Sequence, residues 1–160
     1  MTDYRKTVLW RDVTEQQWND WRWQFRNRIT DVDTLKKLIE LDPEEEKFLR
    51  ECLNRFRMAI TPYYACLINI EDKNCPIRRQ CIPSPQEMDV SPFESDDPLA
   101  EEKDTKVPGI VHRYPDRVLF LLTRKCAMYC RHCTRRRLAG NEDFNISSSD
   151  IDLALDYIRN

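Results

Sequence analysis

Glycine is nearly absent from this chain. Among 160 residues there are two, Gly109 and Gly140, which is too few for either common glycine-rich phosphate loop. Any phosphate bound here must be gripped by side chains. Arginine is suited to that, because its fork of N–H donors matches phosphate and carboxylate oxygens two at a time. A large excess of one charge is missing too. Lys and Arg number 26 against 28 Asp and Glu, a formal net charge of −2. The chain as a whole is therefore no polyanion binder, and attraction for anions has to come from local patches. No apolar run approaches membrane-spanning length, and the opening MTDYRKTVLWRD lacks the hydrophobic stretch of a secretory signal. These absences predict a cytoplasmic protein with no membrane partner. Its seven cysteines would then stay reduced, and metal or redox roles outrank disulfides.

What is present begins with helical signals. Thr14 and Gln17 form a capping box that opens TEQQWNDWRWQFRNRI, with Trp18, Trp21, Phe25 and Ile29 at helical spacing on one face. A short helix is expected in DTLKKLIEL. The clearest one starts at Asp42, with Pro43 at its first position and Glu45 completing the box. Phe48, Leu49, Cys52, Leu53 and Phe56 form its apolar stripe. TPYYACLI predicts a further turn of helix capped by Thr61. The aromatic stripes read as ordinary core.

From Ile82 to Gly109 the composition shifts. Pro83, Pro85, Pro92, Pro98 and Pro108 punctuate a stretch bearing Glu87, Asp89, Asp96, Asp97, Glu101 and Glu102. This predicts an irregular connector whose acids are solvated. The apolar run Val118 to Leu122 then predicts a strand buried on both faces, as in a parallel sheet. A helix capped within Ser147 to Asp150 follows, with Ile151, Ala154, Leu155 and Ile158 on one face. The expected fold class is α/β: a helical region with its acidic connector over 1–105, then the first strand–loop–helix unit of a barrel over 106–160. The chain ends inside the last helix pattern, at DLALDYIRN, so the expectation is an N-terminal piece of a longer protein.

The chemistry concentrates between strand and helix, in KCAMYCRHCTRRR. Cys126, Cys130 and Cys133 occupy eight positions. Three thiols are one short of a closed structural zinc site, and His132, wedged between Arg131 and Cys133, would chelate poorly. Three soft thiolates suit an iron–sulfur cubane with one iron left open. Arg124, Lys125 and Arg131 would offset the cluster's negative charge, while Arg135, Arg136 and Arg137 would meet an anionic substrate near the open iron. The rival is a zinc or nucleic-acid binding module. Against nucleic acid stand the balanced charge and the single interleaved aromatic, Tyr129.

C-x3-C-x2-C with a ring just before the third cysteine resembles the radical S-adenosylmethionine signature. VPGIVHRYPDRVLFLLTRKCAMYCRHCTRRR, with WRWQFRNRI and RMAITPYY upstream, narrows the resemblance to the lysine 2,3-aminomutase family. That resemblance implies a partial (β/α) barrel and an isomerase that moves the α-amino group of L-lysine to the β-carbon. It implies three cofactors: a [4Fe–4S] cluster on Cys126, Cys130 and Cys133, S-adenosylmethionine on the open iron, and pyridoxal phosphate. In the family an electron from the cluster cleaves adenosylmethionine to a deoxyadenosyl radical, and pyridoxal phosphate carries the migrating nitrogen. By motif position, His132 would lie near adenosylmethionine and Arg135 would pair with the substrate carboxylate. Arg113, Tyr114 and Arg117, in HRYPDR, would hold the pyridoxal phosphate group; the competing reading for the two arginines is ion pairing with the acidic connector. An electron donor and a homo-oligomer are the implied partners. No catalytic residue is expected in this stretch, and the isolated piece is expected to be inactive. The alternative within the family is a glutamate or other amino-acid 2,3-aminomutase.

Overall fold

Short helices capped by polar side chains build the first part of the chain. The structure is a computed structural model that describes residues 2–89, 91–139 and 145–160; of the two glycines, Gly140 lies outside them. Contacts divide the chain into two units. The first comprises 1–91 with 127–133, and the second 92–126 with 134–160.

In the first unit, Thr14 and Gln17 form the expected capping box on α1 (Glu15–Asn19). The single long helix expected to run on from it is interrupted. Asp20 ends α1 and caps α2 (Trp21–Arg26), its carboxylate accepting from the Arg22 N–H at 2.9 Å. The break changes which ring faces inward. Trp18 stacks on Tyr4 at 3.9 Å and Trp23 packs against the core, whereas Trp21 is 65% exposed. An aspartate competes for backbone donors more effectively at a cap than inside a helix.

Next come α3 (Val32–Leu35), capped by Asp31, and α4 (Pro43–Leu53), capped by Asp42 with Pro43 in its first turn as expected. α5 (Pro62–Ala65) follows, then α6 (Pro76–Cys81), which the sequence reading did not anticipate. Ile29, Leu35, Leu49, Ile60, Cys66, Ile68 and Cys81 lie fully buried at the centre of this unit.

Ile60 is the splice point. It bridges to Ile29 on one side and to Met128 on the other, and is 0% exposed. It thus ties the segment carrying two of the motif cysteines to the helical core. Truncating Ile60 to Ala is expected to cost about 3 kcal/mol through lost burial and the cavity left behind. A urea midpoint unchanged from wild type would contradict this.

The second unit holds a three-stranded antiparallel sheet in the order β1 (Thr105–Val107), β2 (Ile110–Tyr114), β3 (Arg117–Phe120). The expected strand exists, but its setting was misjudged. β3 lies at the edge of the sheet and alternates in burial, with Leu119 exposed, as is Leu122 two residues beyond its end. It is not a parallel strand covered on both faces, and no barrel unit is seen among the described residues. Turn chemistry is the reason. Pro108 and Gly109 join β1 to β2, with Gly109 at φ 81°, the value a Pro-Gly type II turn requires. A Cβ there would lie 2.5 Å from Ile146 Cδ1. Pro115 and Asp116 join β2 to β3, where Tyr114 pairs with Arg117. Two-residue loops enforce antiparallel neighbours.

The connector is not wholly irregular either, since it forms α7 (Glu101–Asp104). α8 (Arg136–Ala139) follows the cysteines. α9 (Ser148–Arg159) is capped by Ser147 as expected, buries Ala154, and leaves Leu155 and Ile158 exposed. No described helix is long and apolar enough to cross a membrane.

Candidate functional site

The seven thiols fall into two classes. None forms a disulfide; Cys52, Cys66, Cys75 and Cys81 are buried, whereas Cys126, Cys130 and Cys133 are partly accessible. Burial pushes Cys66 up to about 11 and Cys81 up to about 12, so at neutral pH both stay protonated and inert. The accessible three are the motif cysteines.

Cys130 and Cys133 belong to the first unit. Their spacing closes a turn in which the Cys133 N–H donates to the Cys130 carbonyl at 3.1 Å. The segment is held by the backbone. Tyr129 N–H donates to Ala59 O at 3.0 Å, Ala127 O accepts from Thr61 at 3.2 Å, and Arg131 N–H donates to Gln80 O at 2.8 Å. Met128 and Tyr129 are both 4% exposed. With Tyr129 buried, the one aromatic within the basic run offers no face to a nucleic-acid base.

Arg131 was expected to offset cluster charge, but it is already committed. It forks onto Glu87, with Nε at 3.0 Å from each carboxylate oxygen and Nη2 at 2.5 Å from Oε2. His132 lines a cavity of about 770 Å³ in this unit, together with Arg131, Glu87, Arg78 and Glu45.

The second unit carries Cys126 and gathers four expected residues around one cavity of about 400 Å³. Arg113, Tyr114, Arg117 and Arg135 all line it, with Glu101, Leu99, Val111, Val118 and Leu119. Three guanidiniums thus meet at one cavity, each with a carboxylate partner, and arginine forks of this kind match the oxygens of an anion. The connector supplies counter-ions. Arg113 pairs with Asp104 at 2.9 Å and also donates to the Leu99 carbonyl, so the ion pairing weighed against its phosphate role is present. Arg117 pairs with Asp116 at 3.0 Å, and its guanidinium lies 4.5 Å from the centre of the Tyr114 ring. Arg137 pairs with Asp97 at 3.1 Å. Asp97 is held below the usual carboxylate range, first by the Glu102 N–H and also by the Glu101 N–H and Arg137.

Glu101 is the residue sequence reasoning passed over. It is 6% exposed and forks onto Arg135, with Nη2 to Oε1 at 2.5 Å and Nε to both oxygens at 3.1 Å. Immediately before it, Ala100 adopts φ 51°, a left-handed conformation that costs a non-glycine residue about 1 kcal/mol. The acids read as solvated are therefore largely paired. The near-balance of 26 cations and 28 anions, with the acids concentrated ahead of the arginine run, was the available signal.

No family model matches the chain. Individual proteins do. It is 53% identical over 156 residues to the L-lysine 2,3-aminomutase of Clostridium subterminale, an overlap of 98% of this chain and 38% of that protein. By sequence, the chain matches the 2,3-aminomutases. The Bacillus subtilis L-lysine 2,3-aminomutase is 44% identical over 98% of this chain and 33% of its own length. The glutamate 2,3-aminomutase of Clostridioides difficile is 46% identical over 91% of this chain and 34% of its own length. This aminomutase-like chain thus spans little more than a third of the relatives it matches.

Its residues fit the cofactors implied for such enzymes. Three partly accessible thiols outside any disulfide are the soft donor set of an iron–sulfur centre. Among the described residues no group of three His, Cys, Asp or Glu side chains could hold a single metal ion. A cubane makes a different demand, because each thiolate binds its own iron. The arginine-lined cavity fits a phosphate or a carboxylate.

Proposed function

We propose that the protein is a radical S-adenosylmethionine, pyridoxal-phosphate-dependent amino-acid 2,3-aminomutase that converts L-lysine to β-lysine. The observation that carries this reading is the gathering of Arg113, Tyr114, Arg117 and Arg135 around one cavity. The relatives named for L-lysine, at up to 53% identity, support the substrate. A [4Fe–4S] cluster with adenosylmethionine supplies a hydrogen-abstracting radical, and pyridoxal phosphate supplies a carrier for the nitrogen.

The chain's own residues bind and orient. Cys126, Cys130 and Cys133 hold the cluster as thiolates, with His132 near adenosylmethionine. Arg113 and Arg117 grip the cofactor phosphate, and the Tyr114 hydroxyl adds a further donor. Arg135 holds the substrate carboxylate by two parallel N–H bonds, which fixes the α- and β-carbons relative to the radical. Val111, Val118 and Leu119 give the same cavity an apolar part to its lining. A one-electron donor and a second copy of the chain are the partners in this reading, in a reducing cytoplasm.

A second reading, glutamate 2,3-aminomutase, is favoured by one observation: the relative so named is 46% identical, level with some lysine enzymes. The deciding assay uses the protein at the full length of its relatives. It is reconstituted with iron, sulfide, adenosylmethionine, pyridoxal phosphate and a reductant, then offered L-lysine and L-glutamate separately. β-Lysine from the first is the expected product. β-Glutamate alone would move the substrate, and no β-amino acid from either would overturn the proposal.

A further inference from the structure

We propose that Glu101 is the positioning residue for Arg135, presenting its guanidinium to the substrate carboxylate. The inference rests on the aminomutase reading for the identity of the substrate, but not for the geometry. A guanidinium has two edges that can each bind a carboxylate through a pair of N–H bonds. Glu101 occupies the Nε–Nη2 edge of Arg135, and among the described residues no hydrogen bond engages Nη1. The remaining Nη1–Nη2 edge is therefore available to a second carboxylate. Arg135 is also only partly enclosed, its side chain 36% exposed against 8% for Glu101. A long side chain at that exposure samples several rotamers unless one edge is tethered.

The tether is itself well anchored. Glu101 begins α7, directly after the left-handed Ala100. Asp97 clamps this corner from both sides, its carbonyl accepting from Ala100 at 2.9 Å and its carboxylate from the Glu102 N–H at 2.9 Å. A short acidic helix is thereby held against the cavity with one buried carboxylate inside it, and that carboxylate selects one orientation of Arg135.

The test uses Glu101→Gln and Glu101→Asp in the reconstituted protein at the full length of its relatives. Loss of a charge-assisted fork should raise the KM for L-lysine about tenfold in Glu101→Gln. Because the interaction lost holds substrate before and during reaction alike, kcat should change by less than about twofold. Glu101→Asp keeps the charge and should recover part of the loss. In an Arg135→Lys background the same Glu101→Gln change should add less than about twofold, since both act through one contact.

A second readout needs no turnover. Phenylglyoxal condenses with the two terminal guanidinium nitrogens, and Glu101 holds one of them, Nη2, by a 2.5 Å bond, so peptide mapping should show Arg135 modified about tenfold faster in Glu101→Gln, where the charge-assisted fork is lost. If the wild-type protein has no mutase activity yet this acceleration appears, the aminomutase reading fails and the positioning role stands. An unchanged modification rate overturns the positioning role, as does an unchanged KM in an active enzyme, or a full additive loss in the Arg135→Lys background.

Discussion

A Cys130→Ser protein, reconstituted anaerobically with iron and sulfide, is expected to bind no cluster. The wild-type protein should take up about four irons per chain and turn brown with a broad absorbance. The serine hydroxyl is a hard donor that stays protonated at neutral pH, and two thiolates are then left to hold a cubane that needs a third. The backbone of the segment argues that this is a ligand effect. Tyr129 and Arg131, on either side of Cys130, are fixed by main-chain bonds to Ala59 and Gln80, and neither bond depends on the thiol. Cys66→Ser is the matched control. That thiol is fully buried and raised to about 11 by burial, so its loss should alter stability and leave iron uptake intact. Stoichiometric zinc with no iron would favour the zinc-module alternative. A brown Cys130→Ser protein would remove Cys130 from the ligand set.

Arg135 carries the second large effect. In the full-length enzyme Arg135→Ala should lower kcat/KM for L-lysine about 10³-fold, the typical consequence of leaving a buried carboxylate unpaired. Arg135→Lys should lower it about tenfold to a hundredfold, because a point charge cannot make two parallel bonds. Part of the alanine effect has a structural origin. Glu101, 6% exposed, loses its partner too, and a stranded buried charge destabilises the fold. Thermal midpoints of the two variants therefore have to accompany the kinetics. If both melt like wild type, the loss belongs to the substrate carboxylate. Variants of Arg117, which lines the same cavity, should instead raise the requirement for pyridoxal phosphate. Near-wild-type kcat/KM in Arg135→Ala would remove this arginine from the site.

Local signals were legible to different depths. The caps at Thr14, Asp42 and Ser147 sit where the sequence places them, since a cap needs only a polar side chain and donors two or three residues on. Asp20 misled because helical periodicity is averaged over a window and one competing carboxylate can end a turn inside it. The apolar run at Val118 to Leu122 misled for another reason. Hydrophobicity says that a strand will pair, but the Pro108–Gly109 and Pro115–Asp116 turns decide with what. They make its neighbour the preceding strand, which leaves Leu119 and Leu122 on an exposed edge.

The candidate site shows the same division. By itself the sequence determined the chemistry available: three adjacent thiols, a run of arginines, an HRYPDR turn, and almost no glycine to bind phosphate in any other way. Composition and motif spacing are enough for that, because ligand softness and charge belong to the residues themselves. Only the tertiary structure decided which charges meet. Arg135 and Glu101 are 34 residues apart, and Arg131 and Glu87 are 44 apart. No periodicity reports a pairing across such distances, because it depends on where the connector folds back. Folding turned an acidic stretch that reads as solvent-facing into the set of anchors that holds the arginines in place.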